Sequence, residues 1–191
     1  MLYTRNMNKK SISIIAVVVL ISIGVYFFFN NKVSAPIIKE TPKTSFDAKN
    51  ANFSVDGKQV TLVNGFSEEE IIPGSASKIT TRYFGNEIIG DLTGDGVPDT
   101  AFLITQSTGG SGLFYYAVVA IKTESGYKTT NAFLIGDRIA PQPMYIPGGT
   151  TELHVNFAER KPNEPMTTQP SQGAVKLLKV TNEGVLEGLM K

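Results

Sequence analysis

The residues best placed to do chemistry lie between Gly90 and Phe102, in the stretch "GDLTGDGVPDTAF". Oxygen-bearing side chains recur there as Asp91, Thr93, Asp95 and Asp99, with Gly94 and Gly96 among them. Calcium takes about six to eight hard oxygens. A loop that offers oxygens at its first, third, fifth, seventh and ninth positions wraps the ion when the sixth is glycine. Counted from Asp91, those positions are Asp91, Thr93, Asp95, Val97 through its carbonyl, and Asp99, with Gly96 sixth. The twelfth position is Phe102 instead of a bidentate glutamate, and the residues around it read as a strand, which excludes an EF-hand. The competing reading is an Asx-rich turn whose carboxylates cap backbone amides. Carboxylates this close in sequence repel one another without a cation, which favours calcium as a structural staple. Magnesium, with its stricter octahedral demand, suits the loop less well.

The spacing resembles the calcium loops of FG-GAP and dockerin-type modules, D-x-[ND]-G-D-G-x-x-D, which often lead into a strand. Thr93 departs from the Asn or Asp of that pattern and is the weakest ligand the resemblance implies.

Other candidates are thinner. Asp137-Arg138 and Glu159-Arg160-Lys161 flank the ends of expected strands. An arginine fork at either place suits a carboxylate or an anionic sugar; the alternative is that the arginines pair with internal groups and tie loops to the body. His154 is the only histidine, so it can neither build a zinc site nor complete a triad alone. It alternates with Leu153 and Val155, which sends its ring to the opposite face. Residues 108–112, "TGGSG", lack the Gly-Lys-Ser/Thr ending and following helix of a phosphate loop, and read as a hairpin tip. Asp99, Asp137, Glu159 and Glu164 are acids available for glycoside hydrolysis, but nothing in the sequence sets two of them about 5–9.5 Å apart. Tyr115 and Tyr116 fall on opposite faces of one strand, one expected in the core and the other at the surface.

The elements that must position these residues are mostly strands. "FSV" and "KQVTLV" flank Asp56-Gly57, a two-residue hairpin signal. Alternating or continuous apolar runs follow at residues 78–84, 100–106, 113–122, 127–136, 151–157, 174–180 and 185–190. Turn signals separate them at the short spacing of an antiparallel protein. The expected fold is mainly β: a single antiparallel sheet, sandwich or barrel-like domain over residues 51–191. Residues 67–84 leave room for one short helix, because Ser67 followed by Glu70 fits a capping box. Three prolines in "ERKPNEPMTTQPSQG" mark an extended loop, either functional or packed as an ordered crossover.

Residues 11–29, "SISIIAVVVLISIGVYFFF", form an uncharged apolar run. At about 1.5 Å per residue, a helix of that length nearly crosses a hydrocarbon core. Arg5, Lys9 and Lys10 precede it and Lys32 follows, so residues 1–10 are expected in the cytoplasm and the body outside. The rival reading is a cleaved signal peptide with Val33 and Ala35 at the cleavage site. The apolar run is long for that reading, and Pro36 hinders cleavage. Residues 30–50 are polar with two prolines and read as a tether.

The whole chain carries 18 basic and 17 acidic residues, but four of the basic ones flank the apolar run. The other 14 leave the rest at −3. A mildly acidic body with no basic stripe argues against nucleic acid. With no cysteine, disulfides, thiolate zinc and cysteine nucleophiles are excluded, and stability outside the cell must come from packing, with or without an ion.

The blocks "TLVNGFSE", "GDLTGDGVPDTAFLITQSTGGSGLFYYAVVA", "TNAFLIGDRIAPQ" and "VNFAERKPNEPMTTQPS" resemble a family of membrane-anchored or secreted proteins from candidate-phylum (Patescibacteria-type) bacteria. The likeness runs over roughly residues 52–182. It implies an exported location and a single domain, makes "GDRIAPQ" and "ERKPNEPMTTQPS" defining surface, and supplies no chemistry. The expected function is a membrane-anchored, calcium-stabilised, extracytoplasmic module that binds an envelope polymer or protein and is more readily non-enzymatic. The alternatives are a hydrolase of envelope glycan or peptide, drawing on Asp99, Glu159 and Arg160, and an inhibitor of a lytic enzyme.

Overall fold

The structure is a computed structural model that describes residues 46–189. The expected anchor at 11–29 and most of the tether lie outside those residues. No helix among the described residues is long and apolar enough to cross a membrane.

Among the described residues twelve strands follow one another: β1 (Asn52–Val55), β2 (Lys58–Thr61), β3 (Phe66–Glu70), β4 (Lys78–Gly90), β5 (Asp99–Ser107), β6 (Phe114–Thr123), β7 (Gly126–Thr129), β8 (Phe133–Asp137), β9 (Ala140–Pro141), β10 (Leu153–Glu159), β11 (Gln172–Val180) and β12 (Leu186–Gly188). They form a six-stranded sheet ordered β3-β4-β5-β6-β7, with β8 also pairing to β6, a four-stranded sheet ordered β12-β11-β10-β9, and the hairpin β1-β2. Nearly all pairing is antiparallel, as expected. The sheets stay open, with β3 and β7 at the edges of the larger one, so the barrel form of the expectation does not hold.

The architecture is three layers deep, and the reason lies in β5 and β6. Ala101 and Leu103 of β5, with Tyr115, Ala117 and Val119 of β6, pack into one core with Leu153, Val155 and Phe157 of β10 and Leu178 of β11. The intervening residues Phe102, Ile104, Tyr116, Val118 and Ala120 pack into a second core with Phe53, Val55, Val60 and Leu62 of the hairpin. A strand covered on both faces reads as a continuous apolar run, which is the pattern of "TAFLIT" and "YYAVVA". Tyr115 and Tyr116 are therefore both buried, one in each core, where one had been expected at the surface. Truncating a fully buried ring such as Phe102 costs about 3–5 kcal/mol.

Local chemistry explains the turns. Asp56 (φ 49°) and Gly57 (φ 81°) are both left-handed, as a tight two-residue hairpin requires. The expected strand at 127–136 is broken at Thr130. Its Oγ1 accepts the Val119 amide in place of a main-chain carbonyl, and Asn131 turns aside to bridge Ser54 of the hairpin. Residues 66–70, where a capping box was read, are instead strand β3, paired along β4 from Phe66↔Arg82 to Glu70↔Lys78. Glu70 accepts the Gly74 amide, so the Ser–Glu spacing serves a turn after a strand and no helix forms. The one helical piece among the described residues is a single 3-10 turn, Ala48–Asn50, capped by the Asp47 carboxylate on the Lys49 amide. These residues, read from sequence as tether, pack on the domain: Phe46 lies 5.8 Å from the Phe102 ring and 5.1 Å from Tyr127, and Ala48 is buried.

Candidate functional site

The acidic loop joins β4 to β5, and its carboxylates spend themselves on main-chain amides. Gly94 (φ 83°) and Gly96 (φ 81°) take left-handed conformations that a side chain would strain. That backbone turns their amides towards Asp91, whose Oδ1 accepts Gly94 N at 2.6 Å and whose Oδ2 accepts Gly96 N at 2.9 Å. Asp95 Oδ1 accepts Val97 N at 2.8 Å. Asp99 is fully buried at the start of β5. Its Oδ2 accepts Leu92 N at 3.1 Å and the Thr93 hydroxyl at 3.2 Å, and its Oδ1 accepts Lys122 N at 2.9 Å.

The electrostatics divide accordingly. The amides of Gly94 and Gly96 hold the Asp91 carboxyl below the ordinary carboxylate value. Burial pushes Asp99 above it and the charge of Asp95 adds to the rise, while the Lys122 and Leu92 amides and the Thr93 hydroxyl work against it.

The fit of this set to calcium is partial. Asp91, Asp95 and Thr93 keep oxygen lone pairs to offer, and the Val97 carbonyl lies in the same turn. Asp99, however, faces amides on both oxygens. No group of three acidic or histidine side chains gathers as a metal site among the described residues.

The second set of candidates is brought together, but on internal duties. Asp137 Oδ2 takes two bonds from Arg138, Nε at 3.0 Å and Nη2 at 2.6 Å, and its Oδ1 accepts Leu113 N at 2.9 Å. Burial raises the Asp137 carboxyl, yet the Arg138 fork, the Leu113 amide and the nearby Arg160 charge outweigh it, and the net shift is downward. Arg160 Nη1 donates to Arg138 O at 2.9 Å and its Nε to Thr168 O at 2.6 Å. The arginine forks thus face Asp137 and main-chain carbonyls. Glu159 is exposed on the rim of β10, and its carbonyl accepts the Ser171 amide. The proline-rich stretch after it is an ordered crossover held at both ends. His154 is part-buried, 3.2 Å from Glu152 Oε2 and edge-on to Tyr145 at 5.8 Å.

Sequence reasoning missed a groove beside the acidic loop. Its volume is about 830 Å³, and it runs between the loop, the β6–β7 hairpin and the β11–β12 turn. Asp95, Lys122, Glu124, Lys128 and Glu183 line it together with threonine hydroxyls. Lys122 lies over the Tyr127 ring at 4.4 Å, and Lys128 Nζ reaches Glu183 O at 3.4 Å. These residues come from three stretches distant in sequence and are individually ordinary, so only the pairing of β6 with β7 and the closeness of the 181–184 turn reveal them.

No family model, curated protein or solved structure matches the chain.

Proposed function

We propose that this chain is a cell-envelope binding module, with the β domain carried outside the membrane by the apolar segment 11–29 and its ligand taken in the groove beside the acidic loop. The supporting observation is the groove itself: open, about 830 Å³, and lined by both signs of charge and by hydroxyls, as a hydrogen-bonding polymer or protein segment requires. The hydrolase reading has less to stand on. Of its three candidates, Asp99 is sealed on amides, Arg160 is tied to carbonyls and Glu159 faces solvent.

In this reading the acidic loop is a staple that shapes one wall of the groove. Calcium tightens it from outside through Asp91, Thr93, Asp95 and the Val97 carbonyl, and adds no reaction step. The test is co-sedimentation of the purified chain with insoluble envelope polymer. Binding that is lost in Lys122→Glu and Lys128→Glu, with folding kept, supports the groove. Binding that is absent, or untouched by both changes, removes it.

A further inference from the structure

A second, smaller pocket lies on the other side of the sheet, under the β1–β2 hairpin. Its volume is about 250 Å³, and its walls include Lys58 of the hairpin, Glu69 of β3, Thr81 of β4 and Gln106 of β5. On β5, Phe102 and Ile104 face the hairpin and fill the core there. Gln106 follows in the same alternation, so the hairpin-facing row changes from apolar to polar at this end. The neighbouring strands change with it: Ser67 pairs with Thr81, and Thr81 pairs with Gln106, giving a cross-strand row of hydroxyl, hydroxyl and carboxamide.

Thr81 and Gln106 of that row are covered, while Ser67 is half-buried. Thr81 is 2% exposed and Gln106 is 7% exposed. Gln106 Nε2 donates to Thr81 Oγ1 at 3.1 Å, but the carboxamide oxygen has no partner among the described residues. No fully enclosed side-chain polar atom among those residues lacks a hydrogen bond, so this oxygen is not sealed off, and Gln106 lines the pocket. Burying a carboxamide without its bonds is costly, and packing alone would be served better by another valine or isoleucine. Lys58 and Asp56 of the hairpin and Glu69 of β3 also line the pocket, and neither Lys58 nor Glu69 takes part in an ion pair among the described residues.

We propose that this pocket binds a small zwitterion of the free amino-acid class. Its carboxylate is met by Lys58, its ammonium by Glu69, and its polar end by the Gln106–Thr81 pair. At about 30 Å³ per water-sized group, the volume admits roughly eight such groups, the size of a small amino acid. This site is separate from the groove and does not depend on it.

The test is calorimetric titration of the full chain in detergent micelles with the common amino acids up to ~10 mM, with glucose as the neutral control. The expected result is saturable binding of at least one amino acid, weakened tenfold or more in Gln106→Leu and in Lys58→Ala. Lys58 and Glu69 are exposed, so Lys58→Ala and Glu69→Ala carry the test if Gln106→Leu does not fold. No binding by the wild-type chain, binding of glucose alone, or binding unchanged in Lys58→Ala and Glu69→Ala overturns the proposal.

Discussion

The Asp99 carboxylate accepts the main-chain amide of Lys122 at 2.9 Å, across the 23 residues that separate them in sequence. With its bonds to Leu92 N and the Thr93 hydroxyl, it ties the acidic loop, the start of β5 and the end of β6 at one point. Asp99→Ala leaves one buried and one part-buried amide without an acceptor. The expected cost is about 2–4 kcal/mol, read as a shift of the denaturation midpoint with unchanged slope. Asp99→Asn turns one acceptor into a donor and costs less than the alanine variant, though still measurably.

Stability should respond to acid through opposing carboxyls. Asp91 and Asp137 are held below the ordinary value of 3.8, so the stability they contribute is present at neutral pH and is lost as pH falls through their folded-state values. Asp99 is held above 3.8, so its protonated form favours folding: its contribution is fullest below that value and declines as pH rises through the folded value. Asp137→Asn is expected to flatten the loss of melting temperature between about pH 5 and pH 2, and Asp99→Asn to steepen it. Identical pH profiles for wild type and Asp137→Asn would count against the Asp137–Arg138 pairing.

Arg160 holds the 161–171 crossover through the carbonyls of Thr168 and Arg138. Lysine carries the charge without the planar fork, so Arg160→Lys should cost about 1–2 kcal/mol and bring faster cleavage within 161–171 under limited proteolysis. An unchanged cleavage pattern would mean that the crossover stands on its own turns.

Calcium, if it tightens the loop, should raise the melting temperature of the wild-type chain in a saturable way, and Asp95→Ala should abolish the rise. Asp95 bonds only the nearby Val97 amide, so its loss leaves the fold standing. A melting temperature indifferent to calcium means that the amide bonds close the loop by themselves.

The strands were legible where one local signal decided them. Asp56-Gly57 fixed a hairpin because both residues must go left-handed, and β5 and β6 announced double-sided burial by unbroken apolar runs. Residues 66–70 were harder. "FSEEE" has no β signature of its own and is a strand because the long strand β4 offers it an edge, while the three glutamates guard that edge from further pairing. The break at Thr130 depends on a side chain standing in for a carbonyl, which no periodicity encodes. In the acidic loop the residue pattern was visible, but the direction of each carboxylate was not. Asp99 looks like a metal ligand in sequence and is a buried acceptor in space because β6 arrives with a free amide. The groove and the hairpin pocket draw on residues far apart in the chain, so neither had a sequence motif to betray it.

An envelope ligand in the groove requires a binding domain held outside the membrane. Protease added to intact bacterial cells that express the full chain with a carboxy-terminal tag tests this directly. The expected result is loss of the tag from the cells through cleavage in the 30–45 segment, while a cytoplasmic marker stays whole. Protection of the tag until the membrane is opened would contradict it.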